Sequence, residues 1–436
     1  MLNNESSSWG YISGLQIKKT SLEWIGIIAL TIFSFFNTIT LLISLLLLMI
    51  LIKQKQIGAI KIINIITLRT IINPAMAVGI DNWQSLKWII LFGCSIYLIT
   101  SYTKLGNKEL IRLNPIILLV LLFTIFNIIV AFVNSSLPIV AIFKLFSYVV
   151  IFIATLIGVG YTYNKINWLK WMLTLLSLII VPSVIFVILP IGYLRNGVSF
   201  QGITNQPNMF GILAVLFIAI VLANVQTNKN ISKLYLIIIP TLSLFMVILS
   251  KSRTALLSCL LLILLYLLLS KTNRVLKIIA VSFSTIGLIF LVLGSGISES
   301  FINYLYKGQE QGGLLNSRIG QIEGLTSNFL KHPWLGNGFS VPVLPFKSFQ
   351  FSSEYIVEPG NLILSVLSYC GIFGFLIFIA YIFQIFWVNK ANFNNVVFLL
   401  IAPLLISMGE MVFFSSNNIG IWLYMLISIY IFSEKV

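Results

Sequence analysis

The feature that most constrains this chain is a succession of long apolar runs that leaves little room for a soluble domain. The runs follow one another from about residue 22 onward, most of them near the ~17–25 residues that cross ~30 Å of hydrocarbon. Charged residues make up only 9% of the 436, against about 25% in soluble domains, and mean hydropathy is +1.04. In lipid, only helices and closed barrels satisfy their own backbone. A barrel would alternate apolar and polar residues instead of forming solid blocks. The expectation is an all-α polytopic membrane protein of about 12–14 transmembrane helices, a single integral membrane domain over 1–436.

Spans are expected near 22–36, 38–52, 59–79, 86–101, 113–133, 138–161, 168–191, 208–224, 232–249, 254–270, 278–296, 363–387, 395–411 and 418–433. The first two form either a tight hairpin or one long tilted helix. The third contains Arg69, Asn73 and Pro74, so a broken or re-entrant path is expected there. The first span follows a mostly polar segment with no cleavage pattern and is expected to stay attached. Placing the N-terminus in the cytoplasm puts Lys18, Lys19, Lys53, Lys55, Lys104, Lys108, Arg112, Lys165, Lys170 and most other basic residues inside. The short outside loops then keep only Lys87, Arg195, Lys251 and Arg253, which satisfies the positive-inside rule. The formal net charge of +16 is thereby explained without nucleic acid as a partner. Cys94, Cys259 and Cys370 fall within apolar runs and read as small core residues, without metal-ligand or disulfide spacing.

One long polar insert, 298–360, breaks the pattern and is expected on the extracytoplasmic side as a large loop. In it, Ile319, Ile322, Leu325 or Thr326, and Phe329 recur at helical spacing, giving a short amphipathic helix that Arg318 begins and Lys331 ends. His332-Pro333-Trp334 then forces a turn, and Gly336 and Gly338 allow a tight backbone path. His332, the single histidine, reads either as a structural contact or as a base. Glu354 and Glu358 close the insert, as solvated carboxylates or as general bases with raised pKa.

Three arginines share the outer side: Arg195, Arg253 and Arg318. A guanidinium grips phosphate bidentately and stays charged when partly desolvated. The loop around Arg253 is so short that it holds charge at the membrane surface. The competing reading, strongest for Arg195, is an interfacial arginine snorkelling to headgroups. The stretch Phe200 to Gly211, with Asn205, Pro207 and Asn208, suits a helix N-terminus facing outward: either a plain cap or an anion site. Arg69, Lys144 and Glu410 lie at membrane depth, where charge is costly. Arg69 and Lys144 are either structural or line a lipid-carrier groove, and Glu410 lies near the outer end of its span.

These segments together resemble a known family. Ser250-Lys251-Ser252-Arg253-Thr254-Ala255 is similar to the Ser-Arg signature of the O-antigen ligase and polymerase superfamily, which includes Wzy-type polymerases. Arg318 followed by His332-Pro333-Trp334-Leu335-Gly336-Asn337-Gly338-Phe339 resembles its central motif, Glu358-Pro359-Gly360-Asn361 its next block, and Phe200 to Asn208 its Gly-Asn-Pro-Asn-like segment. The resemblance covers about residues 200–387. It implies a GT-C-type bundle and an inverting, metal-independent glycosyltransferase without cofactors. The donor would be a glycan on undecaprenyl diphosphate and the acceptor a second lipid-linked glycan. Arg253 and Arg318 would hold the leaving diphosphate, aided by Arg195, Asn205 and Asn208. Partners would include membrane lipid, a flippase and a chain-length regulator. The place would be the bacterial cytoplasmic membrane, with the site facing outward. Ligases of the family carry a histidine where this chain has Gly360, which turns the expectation from ligase towards polymerase and leaves Glu358 or Glu354 as the base. The rival readings are a ligase moving a finished glycan and, in another class, a flippase or transporter of lipid-linked sugars.

Overall fold

Apolar runs become helices here because a membrane-buried backbone must pair within its own segment. The computed structural model describes residues 9–12, 15–195, 197–227, 233–270, 319–341 and 360–434. A two-stranded antiparallel hairpin, Trp9–Ile12 with Leu15–Lys18, precedes the bundle. The helices are α1 (Lys19–Phe33), α2 (Thr38–Leu48), α3 (Gln56–Thr70), α4 (Gln84–Ile99), α5 (Asn107–Asn134), α6 (Pro138–Thr162) and α7 (Trp168–Ser183). They continue with α8 (Pro207–Thr227), α9 (Lys233–Leu249), α10 (Arg253–Leu269), α11 (Ile319–Lys331), α12 (Leu362–Val388), α13 (Phe393–Val396), α14 (Phe398–Ser407) and α15 (Gly420–Phe432). The chain is thus a polytopic, nearly all-helical membrane protein.

Every expected span within the described residues meets a helix, and the span 278–296 lies outside them. Among the described residues, six helices are long and apolar enough to cross a membrane, or seven if the pair α13–α14, bent by 70°, is one span. Several other apolar helices are shorter, and the breaks have local causes. Residues 22–52 form a hairpin, not one tilted helix: Asn37 caps α2 by accepting from the N–H groups of Ile39 and Thr40. The helix α3 stops at Thr70, before Asn73 and Pro74, and its continuation pairs sideways with another loop. Asn73 N donates to Ile203 O at 2.8 Å and Asn205 N to Ile71 O at 2.8 Å. The broken reading of 59–79 is the one realised.

Two groups of helices build the bundle. In one, α8 is enclosed by α7, α9, α10 and α14, and 83% of its most apolar window is buried. In the other, α6 packs on α3, α4, α5 and α15, and α12 lies along α5. Contact between α14 and α15 joins the two. Arg69 serves this scaffold: its Nε donates to Ser34 Oγ at 2.7 Å and its Nη2 to the carbonyls of Ser34 and Val78. A buried guanidinium spent on backbone carbonyls is a structural clamp for the α1–α2 turn.

The central break is in α12. Gly371 has φ 60° and ψ −167° inside the helix, and the motif from Pro333 to Gly338 is laid into the gap. Ile372 N donates to Pro333 O at 2.8 Å and Phe373 N to Trp334 O at 3.3 Å. In return, Asn337 N donates to Ser368 O at 3.0 Å and Gly338 N to Tyr369 O at 3.0 Å. The carbonyls freed from the first half of α12 and the N–H groups freed from the second half are therefore satisfied by the insert, as a break within a bilayer requires. The glycines follow from this approach. A Cβ at Gly336 would sit 2.4 Å from the backbone of Tyr369 and Cys370, and one at Gly371 2.4 Å from the backbone of Trp334. Asn134 Nδ2 donates to Gly336 O at 3.0 Å, and Lys144 Nζ donates to Ser340 O at 2.9 Å and to its Oγ at 3.1 Å. Phe339, 1% exposed, ends the motif against Tyr148, Tyr369 and Phe414.

Replacing Gly371 by alanine should therefore destabilise the protein severely. The backbone region is nearly glycine-only and costs about 1–3 kcal/mol by itself, before the clash with Trp334. Thermal unfolding in detergent should show a clear loss for Gly371→Ala, and little change for Gly320→Ala, where a Cβ meets nothing within 4 Å.

Candidate active site

At the end of the bundle where the insert attaches, three chain segments come within backbone reach of one another. The first is the entry to α8. Gln201, 1% exposed, organises it: its Nε2 donates to Thr204 O at 3.1 Å and its Oε1 accepts from Arg195 N at 3.0 Å. Gly202, at φ +55°, lies so close to Ser183 that a Cβ would meet its Oγ at 2.5 Å. The path then runs through Thr204 and Asn205 into Pro207, the first residue of α8. Proline suits that position because its missing N–H would have no helical partner.

The second segment is the turn Ser250-Lys251-Ser252 between α9 and α10. Phe200 N donates to Leu249 O at 3.0 Å, which ties this turn to the α8 entry. Lys251 is held at φ +54°, a left-handed conformation that costs a lysine on the order of 1–2 kcal/mol. Such stored strain is concentrated at sites where a side chain must be aimed. Ser252 is buried, and Arg253, the first residue of α10, is half-buried. A guanidinium at a helix N-terminus adds its charge to the positive end of the helix dipole.

The third segment is the break between α14 and α15, residues 408–419, which carries Glu410. Gly409 lies so close to α10 that a Cβ would meet Thr254 Cγ2 at 2.0 Å, and a Cβ at Gly211 of α8 would meet Ser252 and Ala255 Cβ at 2.8 Å. Small residues thus let the three segments touch, as they do between membrane helices generally. The contact is closed by a polar bond: Asn208 Nδ2 donates to Glu410 Oε1 at 2.8 Å. A carboxylate is well placed there, since the N-termini of α8 and α10 both favour negative charge.

The structure therefore brings Arg253, Asn205 and Asn208 into one neighbourhood. Asn205 Oδ1 is shielded from solvent and has no hydrogen-bond partner. Its amide orientation is interchangeable, so this group offers either an acceptor or, turned over, a donor. Asn208 is engaged with Glu410. Arg195 sits in an exposed turn after Pro190–Tyr193, joined to the site through its backbone bond to Gln201. Arg318, Glu354 and Glu358 lie outside the described residues. The residue that sequence reasoning left off the site is Glu410. The signal was present, a carboxylate at membrane depth, but its partner is 202 positions away in the chain.

The described part of the insert is a platform beside this site. Helix α11 packs along α12 with Leu325 fully buried, and Ile322 and Phe329 half-buried. His332 is exposed, and its carbonyl accepts from Gly336 N at 2.8 Å to form the turn. Lys144 directs its ammonium to Ser340. Cys94, Cys259 and Cys370 are buried and unbridged.

The chain matches none of the curated proteins. A protein-family model described as O-antigen ligase matches residues 238–379. The match runs from α9 to α12 and so takes in Arg253, the insert and the break at Gly371. Over residues 238–379 the chain is thus similar to the O-antigen ligase family, which supports a place in the O-antigen ligase and polymerase superfamily.

Proposed function

We propose that the protein is a polysaccharide polymerase of the bacterial envelope, joining oligosaccharide repeat units carried on undecaprenyl diphosphate. The observation that carries this reading is the meeting of the α8 N-terminus, the strained Ser250–Arg253 turn and Glu410, beside a segment of the O-antigen ligase family. Helix N-termini and a guanidinium make a site for a diphosphate. The carboxylate beside them is chemistry that a purely anion-binding site does not need.

In the proposed reaction, a hydroxyl oxygen of the acceptor glycan attacks the anomeric carbon of the donor. The bond from that carbon to the diphosphate oxygen breaks, and the diphosphate leaves with the electron pair. Arg253 and Arg318 take up the charge that develops on it, with Arg195, Asn205 and Asn208 around them. Preorganised charge of this kind is usually the largest catalytic contribution. The configuration inverts because attack and departure lie on opposite faces of the sugar. The hydroxyl proton goes to a carboxylate: Glu358 or Glu354 by their position at the end of the insert, or Glu410 by its place against Asn208. The site would lie on the extracytoplasmic face of the cytoplasmic membrane, under the 298–360 loop, a reading supported by the basic residues concentrated at the other end of the bundle. A flippase would deliver the donor there and a chain-length regulator would act on the product.

A ligase would use the same site, and Gly360 at the position of the ligase histidine favours the polymerase. The transporter reading rested on Arg69 and Lys144 at membrane depth. Both cations donate to protein oxygens, which suits a scaffold role for them.

Purified protein given a cognate lipid-linked repeat unit should yield a ladder of lengths; one transfer per acceptor would point to a ligase, and translocation without bond formation to a transporter. Arg253→Ala should lower turnover by about 10²–10³-fold, by analogy with a lost oxyanion donor, and Arg253→Lys should restore little of it because a lysine lacks the planar fork. The base is identified by the pH–rate profile. A carboxylate base works ionised, so activity falls as pH drops through its pKa. Among Glu354→Gln, Glu358→Gln and Glu410→Gln, the variant that loses this acid limb together with most of its turnover marks the base.

A further inference from the structure

The bundle contains an apolar cavity, remote from the candidate site, of about 680 Å³. It lies between the end of α4, the turn Tyr102–Lys104, α5 and α6, and its bore is lined by residues such as Ile128, Leu145, Val149 and Ile153, with Leu121 at its exposed rim. Along α6 it runs from Ile142 to Ile157, which at 1.5 Å per residue is about 22 Å. That exceeds one leaflet of a hydrocarbon core ~30 Å thick and matches a single extended acyl chain. Leu145 and Ile153 are 1% and 9% exposed, so the groove reaches behind the lipid-facing surface.

The lining is polarised. Three of its hydroxyls gather at one mouth, Thr100, Tyr102 and Thr103, with the exposed Lys104 next to them, while the fourth, Thr124 in the bore, is spent on Val120 O at 2.7 Å. Tyr102 is fixed there by donating to Asn114 Oδ1 at 2.8 Å. The neighbouring Lys108 is committed to Glu434 at 2.5 Å. The mouth therefore lies at the end of the bundle away from the insert, and offers an ammonium beside hydroxyls above an apolar bore. That arrangement fits an amphiphile whose head is an anionic phosphodiester. It runs head to tail against any donor bound at the α8–α10 site, whose diphosphate belongs at the opposite end.

We propose that this groove binds one acyl chain of an anionic phospholipid from the leaflet opposite the candidate site, with its phosphate at Lys104. The lipid fills a gap between α4, α5 and α6. It supports α5 and α6 from behind, where their other ends hold the insert through Asn134 and Lys144.

The test is to delipidate the whole protein in detergent and add dioleoylphosphatidylglycerol or dioleoylphosphatidylcholine, reading retained lipid by native mass spectrometry and stability by thermal unfolding. The expected result is one retained phosphatidylglycerol, preferred several-fold over phosphatidylcholine, with a raised melting temperature. Lys104→Glu should abolish the preference for the anionic lipid. Ile153→Trp should fill the bore and remove both retention and the melting shift; Leu121→Trp, at the exposed rim, should do the same if the first variant folds poorly. The proposal is overturned if the wild type retains no phospholipid, if the filled variants retain it as the wild type does, or if the molecule they displace is a polyprenyl diphosphate.

Discussion

The backbone of the insert is stitched into the break of α12, and much of the structure depends on that stitch. A helix interrupted within a bilayer leaves carbonyls and N–H groups that lipid cannot satisfy. Here the segment Pro333–Gly338 supplies both kinds of partner, donating to Ser368 and Tyr369 and accepting from Ile372 and Phe373. The arrangement is possible because Gly336 and Gly371 let two backbones approach where any Cβ would collide. Its consequence reaches beyond α12. The ends of α5 and α6 grip the same segment through Asn134 and Lys144, so the stretch Pro333–Ser340 is tied to three membrane helices.

This gives physical content to a motif. His332-Pro333-Trp334-Leu335-Gly336-Asn337-Gly338-Phe339 resembles a family signature, and such a signature in an enzyme invites a catalytic reading. The structure uses it as architecture. Histidine and proline turn the chain, the glycines permit the approach, Asn337 donates its side chain to Asn328 and Ser368 carbonyls, and Phe339 locks the end into an aromatic cluster. Among the described residues, the polar groups that suit chemistry lie on the entry to α8, the turn before α10 and the break before α15.

The helical class, most helix positions, the hairpin at the start, the break after Thr70 and the amphipathic helix of the insert were legible in the sequence, because each follows from local pattern or from a proline and its neighbours. Arg253, Asn205 and Asn208 stand out in the sequence because polar groups at helix starts are conspicuous in an apolar chain, and the structure brings their segments together. Long-range pairing was not. Nothing local says that Glu410 meets Asn208, that Lys144 spends its charge on Ser340, or that α12 is broken at Gly371 instead of being merely glycine-bearing. Arg69 and Lys144 look functional in sequence because buried charge is expensive. Their hydrogen bonds show that the expense serves the scaffold.

The central claim is that the donor's diphosphate sits where α8, the Ser250–Arg253 turn and the Glu410 segment converge. A structure of the protein with a non-hydrolysable undecaprenyl-diphosphate glycan tests it most directly. The account predicts diphosphate oxygens within hydrogen-bonding distance of the Arg253 guanidinium, at the N-terminal end of α8, and the glycan facing the carboxylates. A diphosphate bound away from Arg253, or at the opposite end of the bundle near Lys104, would contradict it.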